Sequence, residues 1–220
     1  RLFANILKDE KVLSSGIFVE TGRADLVGDH VGSTAKLVKR KFKEAQGGVL
    51  FIDEAYSLCD GHTGGFGDEA INTLVQEMEN HREDVIVIFA GYPKPMEEFL
   101  DRNPGMKSRI AFEVQFEDYT VDELVDIAKL MVSDKNMFIT EEAITKLRSN
   151  FEIVSKSEDY GNGRYVRKRL EEAEMNLAER CFRYDAADIT DELLTTIEAE
   201  DIPETKLNDA SSKIRIGFAC

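Results

Sequence analysis

The chain has 220 residues, 42% hydrophobic and 32% charged, enough apolar material for a packed core in one ordinary domain or two small ones and too much for a disordered tail. Lys and Arg number 28 against 43 Asp and Glu, a net charge of -15, which argues against a nucleic-acid partner unless the basic residues gather on one face. The longest apolar runs, such as residues 85–90, fall far short of the roughly 20 residues of a membrane-spanning helix, and no signal-peptide pattern opens the chain.

Residues 1–11 place Leu2, Phe3, Ile6 and Leu7 on one helical face with no capping residue before them. The chain therefore reads as a piece of a longer protein whose first helix has lost its beginning. Residues 16–22 read as a short strand between glycines, and 33–46 as a helix opened by a capping Ser or Thr and closed by Gly47-Gly48. Val49-Leu-Phe-Ile52 is a continuous β-branched and aromatic run, the pattern of a parallel strand buried on both faces. A helix over 68–81, a second buried strand over 85–90, a short helix over 94–101 and a last strand over 111–116 follow. Strands alternating with helices predict an α/β fold with a three-layer parallel sheet.

At Asp118 the pattern changes. Residues 120–133, 140–150 and 164–184 all read as helices, the first with a Thr120-x-x-Glu123 capping box. The expected domains are 1–117 (α/β), 118–200 (a small helical domain) and 201–220 (a tail), with the acidic stretch 185–209 read as a solvated face. No internal repeat or low-complexity segment is present. Cys59, Cys181 and Cys220 show no Cys-x-x-Cys spacing, which fits neither a disulfide framework nor a zinc site and points to a reducing, cytoplasmic setting. His30, His62 and His81 lack metal-ligand spacing and read as surface residues.

Asp53-Glu54 is the strongest local signal, because parallel sheets place ligand sites beyond the carboxyl ends of their strands. One carboxylate there can hold Mg2+ through water while the next orients an attacking water, the division of labour that hydrolysis of a nucleoside triphosphate requires. Arg109, just before the last expected strand, reads either as a guanidinium for a transferring phosphoryl group, in its own subunit or a neighbour's, or as one partner of surface carboxylates. Arg164 follows Gly161-Asn-Gly163 at the head of the final helix, where the dipole disfavours a cation, which leaves a ligand contact or a surface ion pair. The run Lys36, Lys39, Arg40, Lys41 and Lys43 reads as a solvated or subunit-contacting face.

Val49-Leu-Phe-Ile-Asp-Glu-Ala55 resembles a Walker B motif. Together with Leu26-Val-Gly28, Val31-Gly32-x-Thr34, Gly91-Tyr92 and Asn103-Pro-Gly-x-x-Ser-Arg-Ile110, it is similar to one AAA+ group, which holds the red-type Rubisco activase CbbX and stage V sporulation protein K. The likeness runs from Arg1 to about residue 183. It implies a P-loop NTPase domain followed by a helical lid, ATP and Mg2+ as cofactors, and self-association into a hexameric ring that remodels a protein partner. Position by position, Asp53 matches the Mg2+-binding acid, Glu54 the glutamate that polarises water, Arg109 the arginine finger and Arg164 the sensor-2 arginine. Tyr92 stands at the sensor-1 place, where most of the superfamily has Asn or Thr. His30-Val31-Gly32 matches the substrate-gripping pore loop, with His30 where relatives carry Tyr. No G-x-x-x-x-G-K-S/T sequence is present, so the resemblance implies that the phosphate-binding loop and the first strand precede Arg1. Two other readings fit the same residues: a non-catalytic assembly or protein-binding module, and a DNA-acting loader of the same superfamily.

Overall fold

In the computed structural model, which describes residues 1–30, 32–59, 65–157, 160–185 and 189–205, the chain divides into two compact units, Arg1–Gln115 and Phe116–Cys220. His62 and Cys220 lie outside the described residues. The first unit runs α1 (Leu2–Asp9), β1 (Phe18–Thr21), the single turn α2 (Arg23–Leu26), α3 (Thr34–Glu44), β2 (Val49–Ile52), a 3-10 turn (Ala55–Leu58), α4 (Phe66–Asn80), β3 (Ile86–Phe89), α5 (Pro93–Arg102) and α6 (Pro104–Lys107).

The three strands form one parallel sheet in the order β1-β2-β3. Their registers, Thr21 beside Ile52 and Ile52 beside Phe89, bring all three to an end level with one another. β2 lies in the middle, and its period-two alternation serves two cores. Leu50 and Ile52 pack with Val38 and Phe42 of α3, Leu74 of α4 and Phe99 of α5, while Val49 joins Ala4 of α1 and Leu13 on the opposite face. Helices on both faces of a parallel sheet follow from that double burial. Each fully buried aliphatic side chain adds about 1.5–3 kcal/mol, so a charge inside β2 would cost more than any neighbour returns.

Residues 111–116 do not form the expected strand. Ile110 packs against the core, but from Ala111 onward the side chains are exposed, with Phe112 at 87% and Phe116 at 91%. A strand exists only where a neighbour completes its ladder, and no described strand lies beside this segment. Ser33 also departs from its expected role as a cap of α3. Its backbone is already helical (φ -81, ψ -35), whereas an N-cap needs extended geometry, and its hydroxyl donates instead to the His30 carbonyl at 2.5 Å.

The second unit contains α7 (Val121–Asp134), β4 (Phe138–Ile139), α8 (Glu141–Val154), α9 (Gly163–Cys181), α10 (Asp191–Thr195) and β5 (Thr196–Ile197). The Thr120 capping box forms as expected: Thr120 Oγ1 accepts from Glu123 N at 3.3 Å and the Glu123 carboxylate accepts from Thr120 N at 2.8 Å. Leu124 and Ala128 of α7, Leu147 and Phe151 of α8, and Val166, Leu170 and Ala173 of α9 form the core. The two-residue parallel pair β4-β5 closes one side.

The acidic stretch after residue 185 is not solvated throughout. Ile197 and Ile202 are buried, and the Asp201 side chain, 1% exposed, meets Arg180 of α9, 3% exposed. Arg180 donates through Nε and a terminal nitrogen to the two oxygens of Asp201 at 3.0 and 2.9 Å, and through the same terminal nitrogen to the Thr196 carbonyl. Asp201 also accepts from Glu198 N at 2.8 Å. A guanidinium inside a helical core needs such a partner, and removing Asp201, the one buried carboxylate among its partners, leaves only the partly exposed Glu198 at 3.2 Å and the exposed Glu200 at 3.9 Å to balance the charge. Asp201→Ala should therefore lower stability by about 3–5 kcal/mol, measured by urea denaturation with circular dichroism. A loss under about 1 kcal/mol would mean that Glu198 and Glu200, with water, take over the charge of Arg180.

Candidate functional site

The end of β2 builds the site. The ladder makes its last bond from Asp53 N to the Thr21 carbonyl at 2.9 Å, after which the carboxylates of Asp53 and Glu54 stand exposed. Glu54 takes left-handed backbone geometry, φ +47 and ψ +48, which costs a non-glycine residue about 1–2 kcal/mol. Three bonds hold it there: Glu54 N donates to Asp53 Oδ1 at 3.0 Å, Ala55 N donates to the Ala90 carbonyl at 3.0 Å, and Ser57 N donates to the Glu54 carbonyl at 2.7 Å. The chain thus leaves β2, reverses at Glu54 and is tied at once to the end of β3. A non-glycine residue held in this region is a mark of a functional position when its surroundings enforce it.

Tyr56 belongs to the same cluster, although its sequence position alone does not single it out. Burial of its ring raises the phenol above the ordinary tyrosine range, and the Glu54 carboxylate, which accepts from it, adds to the shift, with Tyr92 and Asp53 contributing. Gly91 makes room for the ring, because a Cβ there would come within 2.8 Å of Tyr56 Cδ1 and 2.9 Å of Met96 Sδ. Tyr92 opens α5 as its N-cap residue and is half exposed. The structure therefore brings together Asp53, Glu54, Tyr56 and Tyr92.

Among the described residues, no cluster of three or more His, Cys, Asp or Glu side chains forms a metal cage. Asp53 suits Mg2+ in the other way this ion binds, through one or two carboxylates with waters and substrate phosphates completing an octahedron.

The remaining candidates of the first unit have other partners. Arg109 follows α6, where its guanidinium donates to the Gly105 carbonyl at 3.0 Å and pairs with Glu79 of α4 at 3.5 Å. His30 is exposed, Gly32 turns the loop at φ +75, and Val31 lies outside the described residues. The loop is tied at its base by Gly28 N, which donates to Thr34 Oγ1 at 3.1 Å. In the basic run, Lys41 pairs with Asp25 and Glu44, and Arg40 pairs with Glu44, so the chain's own acids neutralise part of that face. In the second unit, Arg164 is exposed in the first turn of α9 and makes no ion pair among the described residues. The preceding Asn162 has φ +48 and ψ -122, a region costing of order 1–3 kcal/mol for a residue with a side chain.

A parallel sheet with an acidic pair beyond its central strand, followed by a helical unit, is an arrangement compatible with a nucleotide-binding domain. The model of the AAA family, described as ATPase family associated with various cellular activities, matches residues 2–117, and that of the AAA lid domain matches 120–212. The chain belongs to the AAA ATPase family. It is 43% identical over 205 residues to a protein CfxQ homolog of Pyropia yezoensis, covering 93% of this chain and 68% of that one. It is 39% identical over 205 residues to stage V sporulation protein K of Bacillus subtilis (strain 168), covering 92% and 63%. It is also 39% identical over 208 residues to the chloroplastic ribulose bisphosphate carboxylase/oxygenase activase of Cyanidioschyzon merolae (strain NIES-3377 / 10D), covering 94% and 71%. The chain thus spans roughly two thirds of these relatives' length. In fold it is similar to the FIGL-1 AAA domain in complex with ADP, with a TM-score of 0.57 at 18% identity over 91% of this chain and 63% of that one.

Proposed function

We propose that the full-length protein carrying this chain is a ring-forming, hexameric ATPase that uses ATP hydrolysis to remodel a protein partner in the cytoplasm. The observation that carries this reading is the acidic pair at the level end of the central strand, with Glu54 turned out of the ladder by its left-handed backbone. The partner class is supported by a relative whose name makes it an activase of another enzyme. Among the described residues no helix is long and apolar enough to cross a membrane.

Asp53 would hold Mg2+, which when bound neutralises phosphate charge. Glu54 accepts a hydrogen bond from the attacking water and draws its proton toward the carboxylate, and Tyr92 stands beside the site at the end of β3. Arg164 would contact the nucleotide from the lid. His30, Val31 and Gly32 form the loop that would meet the polypeptide substrate.

Arg109 would act across the subunit interface as the finger. In the single chain it is paired with Glu79, but both side chains are partly exposed, at 34% and 52%, and such pairs contribute only about 0–1 kcal/mol. Assembly can exchange Glu79 for a neighbour's phosphate at little cost.

In the full-length protein, Glu54→Gln should leave ATP binding intact and slow hydrolysis by at least ~100-fold, since only water activation is lost. Unchanged turnover would remove Glu54 from this role. Arg109→Ala should abolish hydrolysis while each subunit still binds nucleotide, and mixing it with the Glu54→Gln variant should restore part of the activity, because intact fingers then face intact glutamates. An Arg109→Ala protein that hydrolyses normally by itself would contradict action in trans.

A further inference from the structure

The turn that presents Arg164 contains a residue of the wrong type for its backbone. Gly161 (φ +92) is suited to the turn by lacking a side chain, yet Asn162, between two glycines, holds φ +48 and ψ -122 with one. Glycine would adopt that geometry without strain, so the reason for asparagine lies in its side chain.

That side chain uses both ends of its amide. Asn162 Nδ2 donates to Asp118 Oδ1 at 2.6 Å. Its Oδ1 accepts from Tyr119 N at 2.9 Å and from the Tyr160 hydroxyl at 2.8 Å. The carboxylate on one side and the N–H on the other dictate which way the amide points. Tyr160 is buried, and its ring meets Tyr165 edge-on, with centroids 6.4 Å apart. The backbone of the same turn starts α9: Arg164 N donates to the Gly161 carbonyl at 2.9 Å and Tyr165 N to the Asn162 carbonyl at 3.0 Å. Thr120, next to this lead-in segment, caps α7. One amide therefore fastens the segment by which the chain enters the second unit to the first turn of α9.

We propose that Asn162 is the positioning residue for Arg164, locking the turn that carries the arginine to Asp118 and Tyr119 so that the two segments form one body. This inference rests on the reading of Arg164 as a nucleotide contact. A purely structural asparagine would govern the stability of the lid. A positioning asparagine governs how well Arg164 meets its ligand, and its replacement by glycine trades lost hydrogen bonds against relieved backbone strain.

The test is calorimetric titration of Mg-ATP into the full-length protein in a Glu54→Gln background, which stops turnover. Arg164→Ala and Asn162→Gly should each weaken binding by about tenfold. The double variant should be no weaker than Arg164→Ala alone, and the melting temperature of Asn162→Gly should match that of the parent. Asn162→Asp should also bind weakly, since it sets two carboxylates against each other, and adding Asp118→Asn should restore binding by reversing donor and acceptor. Additive losses, parental affinity in Asn162→Gly, a loss accompanied by a lowered melting temperature, or no rescue by the exchange would each overturn the inference while leaving Arg164 in its role. Parental affinity in Arg164→Ala would contradict the reading of Arg164 itself, and the inference with it.

Discussion

The constraint on which the site depends is that β2 is buried on both faces and flanked by a strand on each edge. Val49, Leu50 and Ile52 are inaccessible to water, so no charge can enter the strand before its ladder ends. The first positions free to carry carboxylates are therefore Asp53 and Glu54, and because β1, β2 and β3 end level, the segments after all three strands emerge at the same edge of the sheet. The bond from Ala55 N to the Ala90 carbonyl then fixes the glutamate's turn to the neighbouring strand rather than leaving it on a loose loop. A left-handed glutamate survives there because the surrounding bonds over-determine it.

The same logic explains which features were legible in the sequence. A run of four apolar residues followed by two acids announces both the strand and its end, and the Thr120-x-x-Glu123 spacing announces a helix start, because each depends on residues close together in the chain. Residues 111–116 have strand-like alternation, but a strand also needs a neighbour, and local pattern does not report one. Ser33 sits where a cap is expected, yet its backbone enters the helix one residue early and turns the hydroxyl back on His30. The burial of Asp201 depends on Arg180, 21 positions away, so an acidic stretch looks solvated until the helix bearing its partner is packed against it. Tyr56 is a similar case, its position near Glu54 and Tyr92 following from a turn that only the folded chain shows.

Three arginines show how little residue type says without surroundings. Arg180 is buried and bound at both faces of its guanidinium fork, and its work is to hold the second unit together. Arg109 sits in an exposed pair that is cheap to break. Arg164 is exposed on a strained turn and without an ion pair among the described residues, in a chain whose net charge of -15 offers acids in excess.

The measurement that bears most directly on the division of labour in this ATPase is calorimetric titration of Mg-ATP into the 220-residue chain beside the full-length protein. The chain carries Asp53, Glu54, Arg109 and Arg164 but no G-x-x-x-x-G-K-S/T sequence to cradle the phosphates. Losing several charge-assisted hydrogen bonds at about 1.5–3 kcal/mol each moves a micromolar site to millimolar or weaker. The expected result is micromolar binding by the full-length protein and binding about a thousandfold weaker by the chain. Micromolar binding by the 220 residues alone would contradict it, since the phosphates would then be held by side chains other than those assigned here.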